Sequence, residues 1–374
     1  MEGASKILPE NGENDQVRKT EDLCLAGRQI PANVRRYFEM GAGRGQTVRE
    51  NERAFQRWRF FPRVLRGVSQ RRLETSILGQ SVSMPVCIAP TALHKLVNAE
   101  GEAATAKACA RVGTVMVLSI FSTVSMEEVR KAAPNCSLWL QVYLYKNREI
   151  TRSQVERAEQ LDFGAIVLTA DSPVIGSVET EGDDWEAKGI RCPNFDEWGM
   201  EAARPAFWDA GATWDDLEWL RSVTTLPIVV KGILRRDDAL LAAEHGAAAI
   251  LVSNHGGRQL DGTITTLEAL GEISAAVRGL PIEVYVDGGV RDAADVAKTL
   301  ALGAKAAFIG RPVIWALAQK GEDGVATLLE KFRKDLDRIL ALLGCPSVDD
   351  IDSSFVRRQD FNRERLEEQS VQEA

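Results

Sequence analysis

Histidine is scarce in this chain: His94, His245 and His255 are the only three in 374 residues. A function that needs a side chain titrating near neutrality therefore has few places to sit. Cysteine is sparse as well. Cys24, Cys87, Cys109, Cys136, Cys192 and Cys345 stand far apart, in no CxxC or Cys/His ligand spacing, which excludes a zinc module, a redox pair and a disulfide framework. Cys87 and Cys136 fall in or beside apolar runs, and the set reads as reduced packing residues of an intracellular protein. There is no run of about 18 apolar residues and no apolar core in the first twenty positions, so neither a membrane span nor a secretory leader is expected. The C-terminal Val371-Gln372-Glu373-Ala374 is not a peroxisomal import tripeptide, and a cytoplasmic location is expected. Positive charge is in deficit: the net charge of -8 argues against the basic surface that nucleic-acid binding requires.

What is present is 45% hydrophobic residues, enough for a sizeable core, and a repeating pattern. Residues 1–25 read as a flexible polar arm, 26–350 as the folded body and 351–374 as a charged tail. Within the body, PANVRRYFEM predicts a short helix with Val34, Tyr37 and Phe38 on one face, bracketed by a Pro and a Gly. An arginine-rich connector with a second helix near 48–58 follows. Residues 28–72 hold twelve arginines against three glutamates, whereas 179–201 hold eight acids against one Lys and one Arg. These are either solvated faces of separate elements or patches that meet within or between subunits, and a homo-oligomer is expected.

Eight short apolar runs then alternate with amphipathic segments. They lie at 85–90, 114–119, 138–143, 165–171, 227–232, 248–254, 282–289 and 306–311. Strands apolar on both faces, each followed by a helix, are what a closed parallel barrel requires. The pattern predicts an α/β fold, a (β/α)8 TIM barrel with an N-terminal helical segment. Most units repeat every 20 to 35 residues, but the fourth strand is followed by an insertion over 172–212, long enough to be a lid or binding loop.

Polar residues arrive where each run stops: Thr91, Ser119, Gln141 and Tyr143, Thr169 and Asp171, Lys231, Ser253 to Arg258, Asp287 to Arg291, and Gly310 with Arg311. In a barrel these ends converge on one mouth, which reads as a site for a large polar ligand. The densest stretch is SNHGGRQ. His255 can serve as a base and Arg258 as a bidentate cation, while Gly256 and Gly257 let backbone approach a planar ligand. Asp171, across the mouth, is a candidate to orient His255 and stabilise it once protonated. Lys231 has a buried stem, so its ammonium needs an acceptor, either a structural ion pair or a group that gains negative charge. After the last two strands, Asp287-Gly288-Gly289-Val290-Arg291 and Gly310-Arg311-Pro312 read as glycine turns reinforced by arginines. Such turns grip phosphate, and a phosphorylated cofactor is expected.

SNHGGRQ, DGGVR, GAKAAFIGRP, VVKG, LQVY and APTA, with the strand order that contains them, resemble the FMN-dependent α-hydroxy acid oxidase and dehydrogenase family, to which glycolate oxidase, lactate oxidase, mandelate dehydrogenase and flavocytochrome b2 belong. The similarity covers roughly 30–345. It implies FMN at the barrel mouth. Pro90, Thr91 and Ala92 would lie along the flavin, Ser119, Gln141 and Thr169 would bond its ring, and Lys231 would sit at its N1 and O2 edge. Ser253 would also contact the flavin, and Asp287, Gly288, Gly289, Arg291, Gly310 and Arg311 would hold the ribityl chain and phosphate. For the substrate it implies Tyr37, Tyr143, His255 and Arg258: His255 takes a proton from a 2-hydroxy acid, Asp171 stabilises the imidazolium and Arg258 holds the carboxylate. Hydride and carbanion routes both stay open.

One position departs from the pattern. After the strand-4 Asp, the simple oxidases that this chain resembles carry D-[ST]-P-x-x-G-x-R, whereas DSPVIGSVE places Val178 where the Arg stands, with Lys188 or Arg191 as substitutes in the same loop. A missing cation disfavours glycolate and lactate and favours a bulkier apolar or ring-containing acid. With no haem domain before the barrel and no apolar membrane insert, molecular oxygen is the expected acceptor. Two other readings stay open. One is oxidation of a cyclic amino or imino carboxylic acid in a specialised-metabolite pathway such as that to fusaric acid. The other is a catalytically silent flavin-binding sensor, against which the joint presence of His255, Arg258, Tyr143 and Asp171 speaks.

Overall fold

The structure, a computed structural model, describes residues 30–176 and 189–359. Helices α1 (Ala32–Glu39) and α2 (Gln46–Gln56) open the described chain, followed by strand β1 (Trp58–Phe60) and the hairpin β2 (Thr75–Ile77) and β3 (Gln80–Val82). The eight apolar runs are then β4 (Val86–Ile88), β5 (Val115–Ser119), β6 (Ser137–Val142), β7 (Ile166–Thr169), β8 (Ile228–Ile233), β9 (Ala249–Val252), β10 (Glu283–Val286) and β11 (Ala306–Ile309). All pair in parallel and β10 closes on β9, so the sheet is the closed barrel that the repeat predicts. The connecting helices are α3 (Glu102–Val112), α4 (Met126–Ala132), α5 (Arg148–Gln160), α6 (Asp215–Val223), α7 (Arg236–Glu244), α8 (Thr266–Ala276) and α9 (Ala293–Ala301), ending with α10 (Arg311–Leu343). Their starts are chemically specified. Ser125 caps α4 in a reciprocal capping box with Glu128, and Asn147, Thr265 and Asp292 accept first-turn N–H groups of α5, α8 and α9. The eighth helix begins at Arg311, directly after β11, and kinks at Lys320 and Gly321.

The barrel interior is packed rather than open. Trp139, Tyr285 and Phe308 lie 5.5 to 5.9 Å apart between ring centroids, and each is essentially inaccessible. Ile77 and Val82 of the β2–β3 hairpin join them and plug the N-terminal end. Leu78 and Gly79 both have positive φ, as a tight two-residue hairpin turn requires. The plug is pinned by Trp139 Nε1 donating to Gln80 Oε1 and by Leu78 N donating to Glu283. With that end sealed, ligands can enter only from the strands' C-terminal side.

The tail boundary expected at 351 falls inside packed structure. Ile351, Phe355 and Val356 are buried, and strand β12 (Val356–Arg358) pairs antiparallel with β1. The short strands β1 and β12 were not legible because three residues carry no period. The expected arm and the tail beyond 359 lie outside the described residues. Arginines of the basic stretch pair within the chain, Arg57 with Glu268, Arg71 with Asp337, Arg72 with Asp349, and Arg291 with Glu52. None of those acids belongs to 179–201.

The N-terminal segment is clasped to the loop after β9. Asn51 and Asn254 exchange two side-chain hydrogen bonds of 2.8 Å in a buried setting. Ala42 N donates to Gly257 O, and the Asp261 carboxylate accepts from Arg44 N and Thr47 N. This clasp carries Tyr37 to the mouth. Asn51→Ala leaves Asn254 Oδ1 without its donor, so a loss of about 1–3 kcal/mol of stability is expected. Urea denaturation of the holoprotein checks it, and an unchanged midpoint would show that the clasp contributes nothing.

Candidate active site

The polar strand ends surround a cavity of about 630 Å³, a size that suits a cofactor-sized ligand. Of the residues expected to hold the cofactor, Pro90, Thr91, Ala92, Ser119, Gln141, Thr169, Lys231, Asp287, Gly288, Gly289, Arg291, Gly310 and Arg311 all line it. Ser253 is the exception. It is fully buried, away from the cavity wall, and its hydroxyl accepts the His255 N–H at 3.1 Å. Its place is beneath the loop, where it shapes the turn.

Three neighbouring strands give one hydrogen-bonded row. Ser119 Oγ donates to Gln141 Oε1 at 3.2 Å, and Gln141 Nε2 donates to Thr169 Oγ1 at 3.0 Å. The row fixes the Gln141 amide and presents a line of donors and acceptors to one edge of a planar ligand. On the next strand, Lys231 is buried and its Nζ has no hydrogen-bond partner; the same holds for Asp287 Oδ1. Buried polar atoms without partners cost about 1–3 kcal/mol each. Both belong to residues that line this cavity, so a ligand bearing acceptors and hydroxyl groups fits them. Burial pushes the Asp287 carboxyl above the ordinary range, although Lys231 opposes it.

The far end of the cavity is strongly cationic. Arg311, at the first turn of α10, donates to the carbonyls of Phe38, Gly256 and Met40. Burial, together with the charges of Arg258 and Arg291, pushes its guanidinium down to about 9. Arg291, Arg311 and a helix N-terminus at one end of the cavity suit an anionic group. Arg291 also pairs with Glu52 at 2.6 Å, so it is held rather than free to swing.

One glycine role differs from expectation. A side chain at Gly257 (φ +77°) would meet Val48 N at 2.8 Å, and one at Gly289 (φ +82°) would run into the Asn51 carbonyl oxygen. At Gly257 the approach of α2 requires the glycine, and at Gly289, which also lines the cavity, α2 leaves no room for a side chain.

His255 has the base geometry. Its Nδ1 lies 3.0 Å from Asp171 Oδ1, and about a quarter of its side chain remains accessible. It lines the cavity while Asp171 stands behind it. Its φ of +57° is unusual for a residue with a Cβ and turns the ring away from the strand axis, a strain of about 1–3 kcal/mol of the kind found at functional sites. Burial lowers the His255 pKa first, Lys231 lowers it further, and Asp171 only partly restores it, so the ring is neutral at pH 7 and able to take a proton. Burial alone would push the Asp171 carboxyl up, but Lys231, His255 and Ser172 outweigh it and hold it at about 2. The pair is thus neutral imidazole and carboxylate. His94 is buried against Thr105, and His245 stacks on Trp214 beside Glu218, so neither belongs to the cavity.

Tyr143 and Tyr37 also line the cavity. Burial, followed by the nearby Asp171 and Tyr37, pushes the Tyr143 hydroxyl well above the tyrosine range. It therefore remains a hydrogen-bond donor at any working pH. Arg258 sits over the Tyr37 ring at 5.0 Å, and its Nη1 donates to Tyr37 O at 2.6 Å, which leaves the rest of the fork toward the cavity. Val178, Ser177 and Lys188 lie outside the described residues. Arg191, expected as a substitute cation, pairs with Asp196 at 3.2 Å, is largely exposed and does not line the cavity. Among the described residues of the insertion, Arg204 is the cation that lines it. Sequence reasoning also missed Trp208, Met200, Ile190 and Phe121 on the wall. Three come from the irregular insertion, where no period signals burial, and Phe121 follows the strand that supplies Ser119.

The chain is similar to known proteins over most of its length. Human 2-hydroxyacid oxidase 1 is 44% identical over 348 residues, which is 88% of this chain and 93% of the relative. A peroxisomal (S)-2-hydroxyacid oxidase of Arabidopsis thaliana is 44% identical over 359 residues, 92% of this chain and 98% of the relative. A mandelate oxidase structure with (S)-4-hydroxymandelic acid superposes with a TM-score of 0.84 at 36% identity, covering 91% of this chain and 99% of that one. The family profile described as FMN-dependent dehydrogenase matches residues 26–358, a span that includes every cavity-lining residue named above. The profile match over residues 26–358 and relatives 44% identical over most of the chain place this chain in the FMN-dependent dehydrogenase family.

Proposed function

We propose that this FMN-dependent oxidoreductase oxidises the α-carbon of a 2-hydroxy carboxylic acid to the 2-oxo acid, with molecular oxygen reduced to hydrogen peroxide. The observation that carries the reading is a neutral His255 facing the cavity and backed by an ionised Asp171 at 3.0 Å. Both similar oxidases cited above act, by name, on 2-hydroxy acids. FMN supplies the two-electron acceptor; its phosphate would be held by Arg311, Arg291 and the turns at Gly289 and Gly310, and its ring edge by Lys231, Gln141 and Thr169.

In this reading Arg258 and Tyr37 grip the substrate carboxylate, the bidentate guanidinium fixing its orientation. Tyr143, always protonated, donates to the substrate hydroxyl. His255 Nε2 takes the proton released as the carbon is oxidised, Nδ1 stays directed at Asp171, and the carboxylate stabilises the imidazolium that results. The closed N-terminal end and the apolar wall limit the water that can compete for that proton.

The chain is expected to be yellow, with FMN released by heat and identified by chromatography. Recovery of FAD instead would contradict a phosphate-monoester site built from Arg291 and Arg311. Anaerobic mixing with 2-hydroxy, 2-amino and cyclic imino acids, followed by flavin absorbance, tests the substrate class. Bleaching by a 2-hydroxy acid is expected, and bleaching only by amino or imino acids would move the chain to the specialised-metabolite variant that Val178 motivates. Among the described residues no helix is long and apolar enough to cross a membrane. A cytoplasmic location and a homo-oligomeric state belong to the same proposal. Imaging of a tagged chain and light scattering check them.

A further inference from the structure

Part of the cavity wall takes no part in the proton transfer or the carboxylate grip. We infer that Trp208 sets a preference for 2-hydroxy acids with an extended or planar apolar side chain, which packs against the cavity-facing edge of the indole stacked on Tyr143. The inference rests on the function proposed above.

The two rings stack face to face, with centroids 4.3 Å apart and planes 7° from parallel. Trp208 is 7% exposed, and what it exposes borders the cavity. Phe121 lies 6.3 Å from it, and Ile190 and Met200 continue the apolar lining. Arg204, paired with Glu201 only at 3.7 Å and largely exposed, is the charged group beside them. If the Tyr143 hydroxyl bonds the substrate oxygen, the remaining substituent of the same carbon lies beside the stacked pair and can reach the exposed edge of the indole. In glycolate that substituent is hydrogen, which reaches neither ring.

The wall is also held in advance of binding. Trp208 bridges antiparallel to Tyr145, Asp209 N donates to Leu144 O at 2.9 Å and Lys146 N donates to Phe207 O at 2.9 Å. The Asp209 carboxylate is anchored by Arg148 at 2.6 Å. Fastened on both sides to the segment after β6, the indole needs no ordering when a ligand arrives, so its contact contributes to affinity.

The test uses the holoenzyme. kcat/KM for glycolate, 2-hydroxybutanoate, 2-hydroxyoctanoate and mandelate is measured in wild type, Trp208→Ala and Trp208→Phe. In parallel, calorimetry records binding of the unreactive products 2-oxobutanoate and 2-oxooctanoate. Wild type is expected to favour the longer acids. In Trp208→Ala the ratio of kcat/KM for 2-hydroxyoctanoate to that for glycolate falls about tenfold, the scale of a lost apolar contact, mainly through KM. 2-Oxooctanoate affinity falls in step. Trp208→Phe, which keeps a flat face and guards against a misfolded alanine variant, retains most of the ratio. An equal loss for all acids would reduce Trp208 to a support for Tyr143 and overturn the inference, as would an unchanged ratio. A wild-type flavin reduced by no 2-hydroxy acid would overturn the proposed function and this inference with it, whereas a reduced flavin with an unmoved ratio overturns the inference alone.

Discussion

His255→Gln is expected to retain FMN and to slow flavin reduction by the substrate at least about 100-fold, the scale of losing a positioned general base. The side chain borders the cavity and bonds to Asp171 rather than to Arg291 or Arg311, so cofactor content should hold while chemistry fails. Glutamine keeps a hydrogen-bonding group of similar reach but cannot take a proton at any working pH. Anaerobic stopped-flow reduction, with FMN content measured on the same sample, checks both halves. Reduction at the wild-type rate would show that the proton leaves by another route and would remove the observation on which the proposed function rests.

Asp171→Asn should slow reduction by a similar factor and, in addition, move the pH profile in a stated direction. In the wild type, burial and Lys231 lower the His255 pKa while Asp171 raises it, and the net result lies below the ordinary 6.5. Activity therefore requires the deprotonated ring, and kcat/KM falls as pH drops through that lowered value. Asparagine removes the one raising influence and leaves the lowering ones, so the acid limb moves to still lower pH. The rate falls because the imidazolium loses its carboxylate, and Lys231 loses an opposite charge in a buried site, a change that costs several kcal/mol when a buried pair is broken. The carboxyl itself, held at about 2, cannot produce a limb near neutrality. Because its pKa is depressed from 3.8, it contributes stability above about pH 4 that is lost as pH falls toward 2. A limb that stays in place, or moves to higher pH, would show that Asp171 does not tune the base.

Sequence alone determined the barrel and most of its mouth. Eight runs such as the one at β9 are apolar on both faces because helices cover one side and the barrel core the other, and that pattern has few other solutions. Once the strands were placed, Thr169, Lys231, His255 and Arg311 had to converge, since the C-terminal ends of parallel strands share one side. The motif SNHGGRQ then named the chemistry, through its resemblance to a family.

Tertiary structure decided what has no period. Tyr37 reaches the mouth because Asn51 meets Asn254 and Asp261 receives the backbone of Arg44 and Thr47, contacts between segments some 200 residues apart. Ser253, a polar residue at a strand end like its neighbours, falls beneath the wall, where its hydroxyl accepts the His255 N–H. Gly257, read as room for a ligand, makes room for α2. Residues 356 to 358 are held by pairing with β1 and Ile351 and Phe355 by burial, which local composition does not show. Trp208 sits in an insertion without helical or strand spacing, and only the backbone bridge to Tyr145 turns its ring onto Tyr143. Local patterning records which residues must be buried. Which distant segments meet to bury them, and so what borders the substrate, depends on packing summed over the whole chain.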